Sequence, residues 1–322
     1  MLNAKNSSKI TKNSKILIGL TAILACLYFL SFTRTCTSKD SREKIKSSLV
    51  NQKYKDSITS FELEDASSSI IIKNEGTFWT VGRANTATIA GTRNTNQVLP
   101  ASPERIQNLI ENLTNIRNLY KISDKITQNS AFGLTNGTEF HLRYNTDQGF
   151  HELIFGNQDF SLSSRYLMTE KSTQVYEIDS SLDTYLTSSI QSWAEPYIIS
   201  QVVLGKITSA DIQRTQVENL NQNHLGTISD IQKLLDLRHG GIPDQEEMEK
   251  IFQARNAQTA QTLISLELGN KNEIEIQIYK SQNENEFVVL TYYMTEKGKT
   301  PVFVSSSKIS SWTYNKIKEI TL

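Results

Sequence analysis

The hexapeptide Tyr166-Leu167-Met168-Thr169-Glu170-Lys171 returns, with one substitution, as Tyr292-Tyr293-Met294-Thr295-Glu296-Lys297. Patterns on either side return in the same order, which constrains the chain to one structural unit used twice. Ile106-Gln107-Asn108-Leu109-Ile110 is echoed by Ile231-Gln232-Lys233-Leu234-Leu235, Ile116-Arg117-Asn118 by Leu237-Arg238-His239, and Ile58-Thr59-Ser60 by Ile207-Thr208-Ser209. The offset is 121 residues from Arg117 to Arg238 and 126 from Tyr166 to Tyr292, but 149 from Ile58 to Ile207. The first copy therefore carries extra chain around its opening strands. The second has an addition of its own: Pro243-Asp244 with Glu246, Glu247, Met248, Ile251 and Phe252 reads as an inserted helix, its acids at the positive end of the dipole.

Short β-like runs open the first copy at Ile58–Leu63, Ser69–Ile72 and Phe78–Val81, with turn chemistry at Asn74-Glu75-Gly76. A helix follows, capped by Ser102, begun by Pro103, and carrying Ile106, Leu109, Ile110, Leu113 and Ile116 on one face. After the turn at Phe132-Gly133-Leu134 come four strand candidates, at 140–144, 152–155, 165–168 and 174–178, and a closing helix through Leu182, Tyr185, Leu186 and Ile190. The second copy repeats this with strands at 264–268, 273–279, 286–292 and 301–304, and a last helix holding Ile309, Trp312 and Ile317.

Ahead of both copies lies Ile16 to Phe32, an apolar run without a charge. At about 1.5 Å per residue it reaches roughly 25 Å as a helix, enough to span a bilayer. Lys5, Lys9, Lys12 and Lys15 precede it with no acid among them, the make-up of a signal anchor. Arg34, Lys39, Arg42, Lys44 and Lys46 on the far side leave the charge count undecided about sidedness. The short basic start favours the N-terminus inside and the long remainder outside. Cys26 suits a lipoprotein processing site, but Leu27-Tyr28-Phe29-Leu30 continues apolar, so an uncleaved anchor is the better reading. Beyond Cys36 there is no cysteine, which excludes a disulfide or cysteine-held zinc in the remainder.

The expected fold is therefore α+β. Two tandem β-rich modules, each a mainly antiparallel meander sheet with one or two packed helices, stand behind one N-terminal transmembrane helix. The expected divisions are a cytoplasmic basic N-terminus at 1–15, the transmembrane helix or signal anchor at 16–32, a juxtamembrane linker at 33–55, a first module at 56–200 and a second, divergent one at 201–322.

From Trp79 to Ile199 the chain resembles the domain-of-unknown-function 4340 family. The resemblance rests on Trp79, the amphipathic helix, Phe132-Gly133-Leu134, the Ile-x-Gly step Ile154-Phe155-Gly156, Arg165-Tyr166-Leu167 and Val175-Tyr176, in that order. Two departures stand out. Thr135-Asn136-Gly137 replaces the proline that often follows Gly-Leu, and the second copy has no Phe-Gly-Leu. The resemblance implies a single-pass protein of the cytoplasmic membrane with its domain outside, associated with ABC-type exporters including those of gliding motility. It supplies no catalytic residue.

The sequence holds no recognisable catalytic machinery. His141 and His151 lie on neighbouring strands without a third ligand nearby, so packing roles outweigh a metal site. His239-Gly240-Gly241 is similar to an esterase oxyanion loop but lacks a Gly-x-Ser-x-Gly elbow; a helix stop before Pro243 is simpler. Ser305-Ser306-Ser307-Lys308 matches Ser-x-x-Lys without the partner motifs. No phosphate-binding glycine loop is present, so any ATPase partner is a separate chain. A net charge of zero argues against nucleic acid. The expectation is thus no catalytic, cofactor-binding or metal residue, and a non-enzymatic accessory protein whose partners are the membrane and ABC permease or ATPase chains. The alternative is an extracytoplasmic binder of peptide or glycan, with Tyr166, Tyr292 and Tyr293 as candidates to line a groove between the modules.

Overall fold

The computed structural model describes residues 43–84, 98–124, 131–134, 137–169, 172–219, 224–256, 260–296 and 300–321, together with Thr21, Ile23 and Leu24. The expected anchor lies, apart from those three helical positions, outside the described residues. Among the described residues no helix is long and apolar enough to cross a membrane. Met1–Glu43 and Lys44–Leu322 are separate units, and all that follows concerns the second.

Its strands form two antiparallel sheets. The first has ten strands: β1 (Lys44–Ser47), β2 (Ser60–Glu64), β3 (Ser69–Asn74), β4 (Trp79–Arg83), β5 (Val98–Pro100), β6 (Arg117–Ser123), β7 (Phe140–Thr146), β8 (Gly149–Gln158), β9 (Ser164–Thr169) and β10 (Val175–Asp179). Their order is β1-β6-β10-β9-β8-β7-β2-β3-β4-β5. The second has β11 (Ile212–Asn219), β12 (His224–Gly226), β13 (Thr262–Leu268), β14 (Glu273–Lys280), β15 (Glu286–Met294) and β16 (Phe303–Ser310), in the order β12-β11-β13-β14-β15-β16. Set side by side, β3-β2-β7-β8-β9-β10 and β12-β11-β13-β14-β15-β16 read alike. Tyr166–Thr169 of the first hexapeptide lie on β9 and Tyr292–Met294 of the second on β15, the third strand of each four-stranded meander. An α+β fold of meander sheets is what the period-two patterns predicted.

The first sheet follows its sequence period. On β7, Phe140, Leu142, Tyr144 and Thr146 are buried while His141, Arg143 and Asn145 point to the other face. Against the apolar face packs α1 (Pro103–Thr114), whose N-cap Ser102 accepts from the Arg105 N–H at 3.4 Å. Ile106, Leu109 and Leu113 are buried in this core. Ile116 lies beyond the helix and is 76% exposed, because the chain has already turned into β6. The Leu113 carbonyl accepts from both the Leu49 and Val50 N–H groups, so the chain leaving β1 satisfies the end of α1. The stretch expected to be linker thus contributes an edge strand and a helix stop.

The second sheet is covered on both faces. On one side lie α3 (Ile231–Leu235), α5 (Ser311–Glu319) and the segment from Ile198 to Ile207, with the Tyr314 ring stacked 4.0 Å from that of Phe287. On the other, α4 (Gln245–Asn256) sets Met248 and Ile251 against Val288, Leu290, Tyr292 and Met294. Covering on both sides explains why β15 is buried at every position from Phe287 to Met294. The inserted helix is present, and Asp244 and Glu247 cap it reciprocally, side chain to N–H in each direction.

One helix expectation fails, and a second holds for Trp312 and Ile317 but not for Ile309. The closing helix of the first copy is a 3-10 turn at Ser180–Tyr185 and a single turn of α-helix, α2 (Ile190–Trp193). Between them Thr187 uses its hydroxyl to accept from the Ser189 N–H, and such local bonds compete with a continuous helix. At the C-terminus Ile309 lies on β16 opposite Phe287, and the helix starts only after its cap, Ser310.

Candidate functional site

Where chain passes from the first sheet to the second, two clefts and a buried polar cluster come together. The first cleft, about 570 Å³, is floored by Ile70, Ile190 and Ile242 and walled by serines, Gln191, Gln245 and Arg83. Asp65 organises its wall. It accepts from the Ser67 N–H at 2.8 Å, the Ser68 N–H at 2.9 Å, the Ser67 hydroxyl at 2.6 Å, and the hydroxyl of Ser188. Burial alone would raise its pKa; the bonds from Ser188, Ser67 and Ser68 outweigh it and hold the carboxyl at about 2. Since Ser188 donates to Asp65, the 2.6 Å contact between Ser68 and Ser188 has Ser68 as donor. The Ser67 and Ser188 hydroxyl protons are therefore turned to Asp65 and the Ser68 proton to Ser188, leaving lone pairs for the cleft. Arg83 has no ion-pair partner among the described residues. Asp-x-Ser-Ser at 65–68 is a legible turn signal; Ser188, far along the chain, carries none.

The second cleft, about 460 Å³, lies between the hairpin after β3 and the end of the second sheet, lined by Phe78, Val98, Val203, Leu204, Val302 and Phe303 among others. Phe78 and Phe303 meet edge to face at 5.1 Å.

The connecting segment is locked to the second sheet. The Tyr293 hydroxyl, fully buried, accepts from the Ser200 N–H at 2.7 Å. Burial drives its pKa well above the ordinary phenol value. Glu195 accepts from the Ser200 hydroxyl at 2.5 Å and the Gln201 N–H at 2.9 Å. Burial raises the Glu195 pKa against those two bonds. His239 places Nε2 2.8 Å from the Glu195 carbonyl, so that nitrogen carries the proton. Nδ1 is then a buried acceptor without a partner among the described residues, and burial lowers the pKa.

The motifs singled out in the sequence have structural explanations. The Gly240 N–H donates to the Lys308 carbonyl at 2.8 Å and the Lys308 N–H to the Gly241 carbonyl at 2.9 Å, so His239-Gly240-Gly241 closes the edge of β16. Gly241 has φ +151°, and a side chain there would strike Gln191. In Ser305–Lys308 the three serines are buried, and the Lys308 ammonium lies 2.6 Å from Glu286 and 3.1 Å from Glu247. Burial opposes its charge, but the two carboxylates prevail and its pKa is raised, the wrong direction for a base.

His141 and His151 face opposite sides of the sheet. His141 is opposite Ile154 and bonds Glu152 at 2.8 Å, whereas His151 is opposite Tyr144 and stacks on it at 4.9 Å. His224 belongs to β12. Tyr292 and Tyr293 are buried in the second sheet and line neither cleft; Tyr166 packs on Phe132. Among the described residues no group of His, Cys, Asp and Glu is arranged to hold a metal.

The remaining motifs converge on one packing cluster. A Cβ on Gly156 would stand 2.2 Å from the Phe132 carbonyl, so the Phe-Gly-Leu turn lies directly on the Ile-x-Gly step. Arg165 donates to the Gly156 carbonyl at 2.6 Å and to Asp183 at 2.6 Å, and Tyr166 meets Phe132 at 4.7 Å. These are the residues that carried the resemblance, and the family model named as a domain of unknown function, DUF4340, matches residues 92–319. The chain belongs to the domain-of-unknown-function 4340 family. The match begins later than Trp79 and runs on through β16 to the end of α5, so the second sheet is inside this family's domain. No curated protein and no solved structure matches the chain.

Proposed function

We propose that this member of the 4340 family is a non-enzymatic, membrane-tethered accessory protein. In this reading it stands outside the cytoplasmic membrane on a single N-terminal helix and works beside an ABC-type transporter or gliding-linked exporter. Its two sheets would be tandem copies of one module, offered as a rigid surface to permease or ATPase chains. The observation that carries the reading is the apolar, charge-free run Ile16–Phe32 only a short distance ahead of the folded unit that starts at Lys44. It is supported by the commitment of Lys308, His239 and Tyr293 to holding chain segments together. Affinity purification of the full chain from detergent-solubilised membranes should recover a permease or ATPase subunit. Recovery of neither would sink the proposal.

A second reading, an extracytoplasmic binder of a peptide or glycan, is favoured by the serine-walled cleft with Arg83 at its side. Isothermal titration with acidic oligosaccharides and short peptides would show binding that Arg83→Ala weakens about tenfold. Heat signals unchanged by that substitution would count against the cleft.

A further inference from the structure

The loop between β8 and β9 holds two apolar side chains out into solvent on a backbone that resists relaxing. Phe160 is fully exposed and Leu162 is 66% exposed. Leu162 has φ +57°, a left-handed conformation that leucine disfavours and that a loop with no other demand would give to glycine or asparagine. Asp159 enforces it. Its carboxylate accepts from the Ser163 and Ser164 N–H groups, both at 3.0 Å, and from the Ser161 hydroxyl at 2.5 Å. Its carbonyl accepts from the Leu162 N–H at 3.0 Å, and the Ser180 N–H ties the Ser163 carbonyl to the neighbouring chain at 3.2 Å. Exposed apolar groups on a preorganised loop bind with little ordering cost, which is how interface anchors act.

Charge decides what fits there. Arg165 is committed to Asp183 at 2.6 Å and buried Arg117 to Asp179 at 3.6 Å, so neither cation is available at this end of the sheet. Among the described residues Asp159 is satisfied by N–H and O–H donors and not by a cation. The Ser161 hydroxyl foremost, with the backbone donors, holds its pKa at about 2, so the charge persists at every physiological pH. Sinking this tip into a bilayer would carry that charge with it, whereas a pocket with a basic rim would welcome it.

We propose that Phe160 and Leu162 form a docking knob that inserts into an apolar pocket, rimmed by Lys or Arg, on a partner protein. The knob does not depend on the partner being a transporter subunit, so its failure and that of the accessory reading are separable.

The test is photocrosslinking from Phe160→benzoylphenylalanine in the full chain in native membranes, with Phe150→benzoylphenylalanine, at the far end of β8, as control. The expected result is one polypeptide adduct from position 160, identified by mass spectrometry, and absent from position 150. That polypeptide, purified, should bind the wild-type chain with a Kd weakened at least about tenfold by Phe160→Asp and by Leu162→Gly, with the melting temperature held or raised. Raising the salt to about 0.5 M should weaken the wild-type complex several-fold. Adducts to phospholipid, adducts to a second copy of the chain, the same polypeptide captured equally from position 150, or no adduct at all would each overturn the proposal. So would a Kd unmoved by both substitutions.

Discussion

Tyr166, Leu167 and Met168 on β9 and Tyr292, Tyr293 and Met294 on β15 hold the same places in two sheets of the same order, yet they are enclosed differently. In the first sheet Tyr166 and Met168 are covered by the Phe132-Gly133-Leu134 turn; in the second Tyr292 and Met294 are covered by Met248 and Ile251 of α4. On the opposite face, Leu167 is an ordinary core residue, whereas Tyr293 adds a hydroxyl that pins the connecting segment through Ser200. One strand pattern thus serves two enclosures, and the second sheet, which lacks Phe-Gly-Leu, is closed by its inserted helix. The two sheets share strand order; what covers the strands is where they differ.

The largest expected effect breaks the turn-for-helix comparison. Gly156→Ala should destabilise by about 3 kcal/mol, because the new methyl meets the Phe132 carbonyl, a backbone atom with little room to yield. A neutral result in urea unfolding would mean that the turn does not close the first sheet. The equivalent pair comes next. Leu167→Ala should cost about 3 kcal/mol through an unfilled core, and Tyr293→Phe about 2 kcal/mol by orphaning the buried Ser200 N–H. If Tyr293→Phe unfolds at the wild-type urea midpoint, the hydroxyl is no lock and the two positions are alike after all.

The smallest effect is in pH. The folded-state pKa of Asp65 is depressed, so its contribution is complete above the unfolded value of 3.8 and is lost as pH falls towards about 2. Allowing for solvent screening, that is about 1 kcal/mol, and Asp65→Asn should remove this acid sensitivity of the first sheet. His239 acts on the second. Its depressed folded pKa means that stability is full above the unfolded value of 6.5 and falls as pH drops below it. Chemical unfolding at pH 7.5, 5.5 and 3 separates the two, and a flat profile through pH 5.5 would contradict the buried neutral imidazole.

The meanders were legible because their alternation is the direct print of a half-buried strand, and α1 because Ser102, Pro103 and the apolar stripe agree. What escaped was set by distant chain. β1 is short and polar enough to pass for linker, and only its pairing with β6 makes it a strand. The break between Tyr185 and Ile190 depended on Thr187 and Ser188 finding other partners. Of the junction, the Asp65 turn could be read from four consecutive residues. The Glu195–Ser200–Tyr293 lock could not, since it joins positions 93 residues apart that no local pattern links. The tyrosine pair was visible, but its burial depends on α4 and the connecting segment.

The place of β1 has a mechanical consequence. Among the described residues it is the outermost strand of the first sheet, four residues long and paired on one side only, to β6. In a chain held by its N-terminus, any pull enters the folded unit through those four residues. They would peel from β6 first, followed by the Leu49 and Val50 contacts to Leu113, before force reached either core. The protein would then yield to load in a small step at its tethered edge, lengthening without unfolding the sheets behind it.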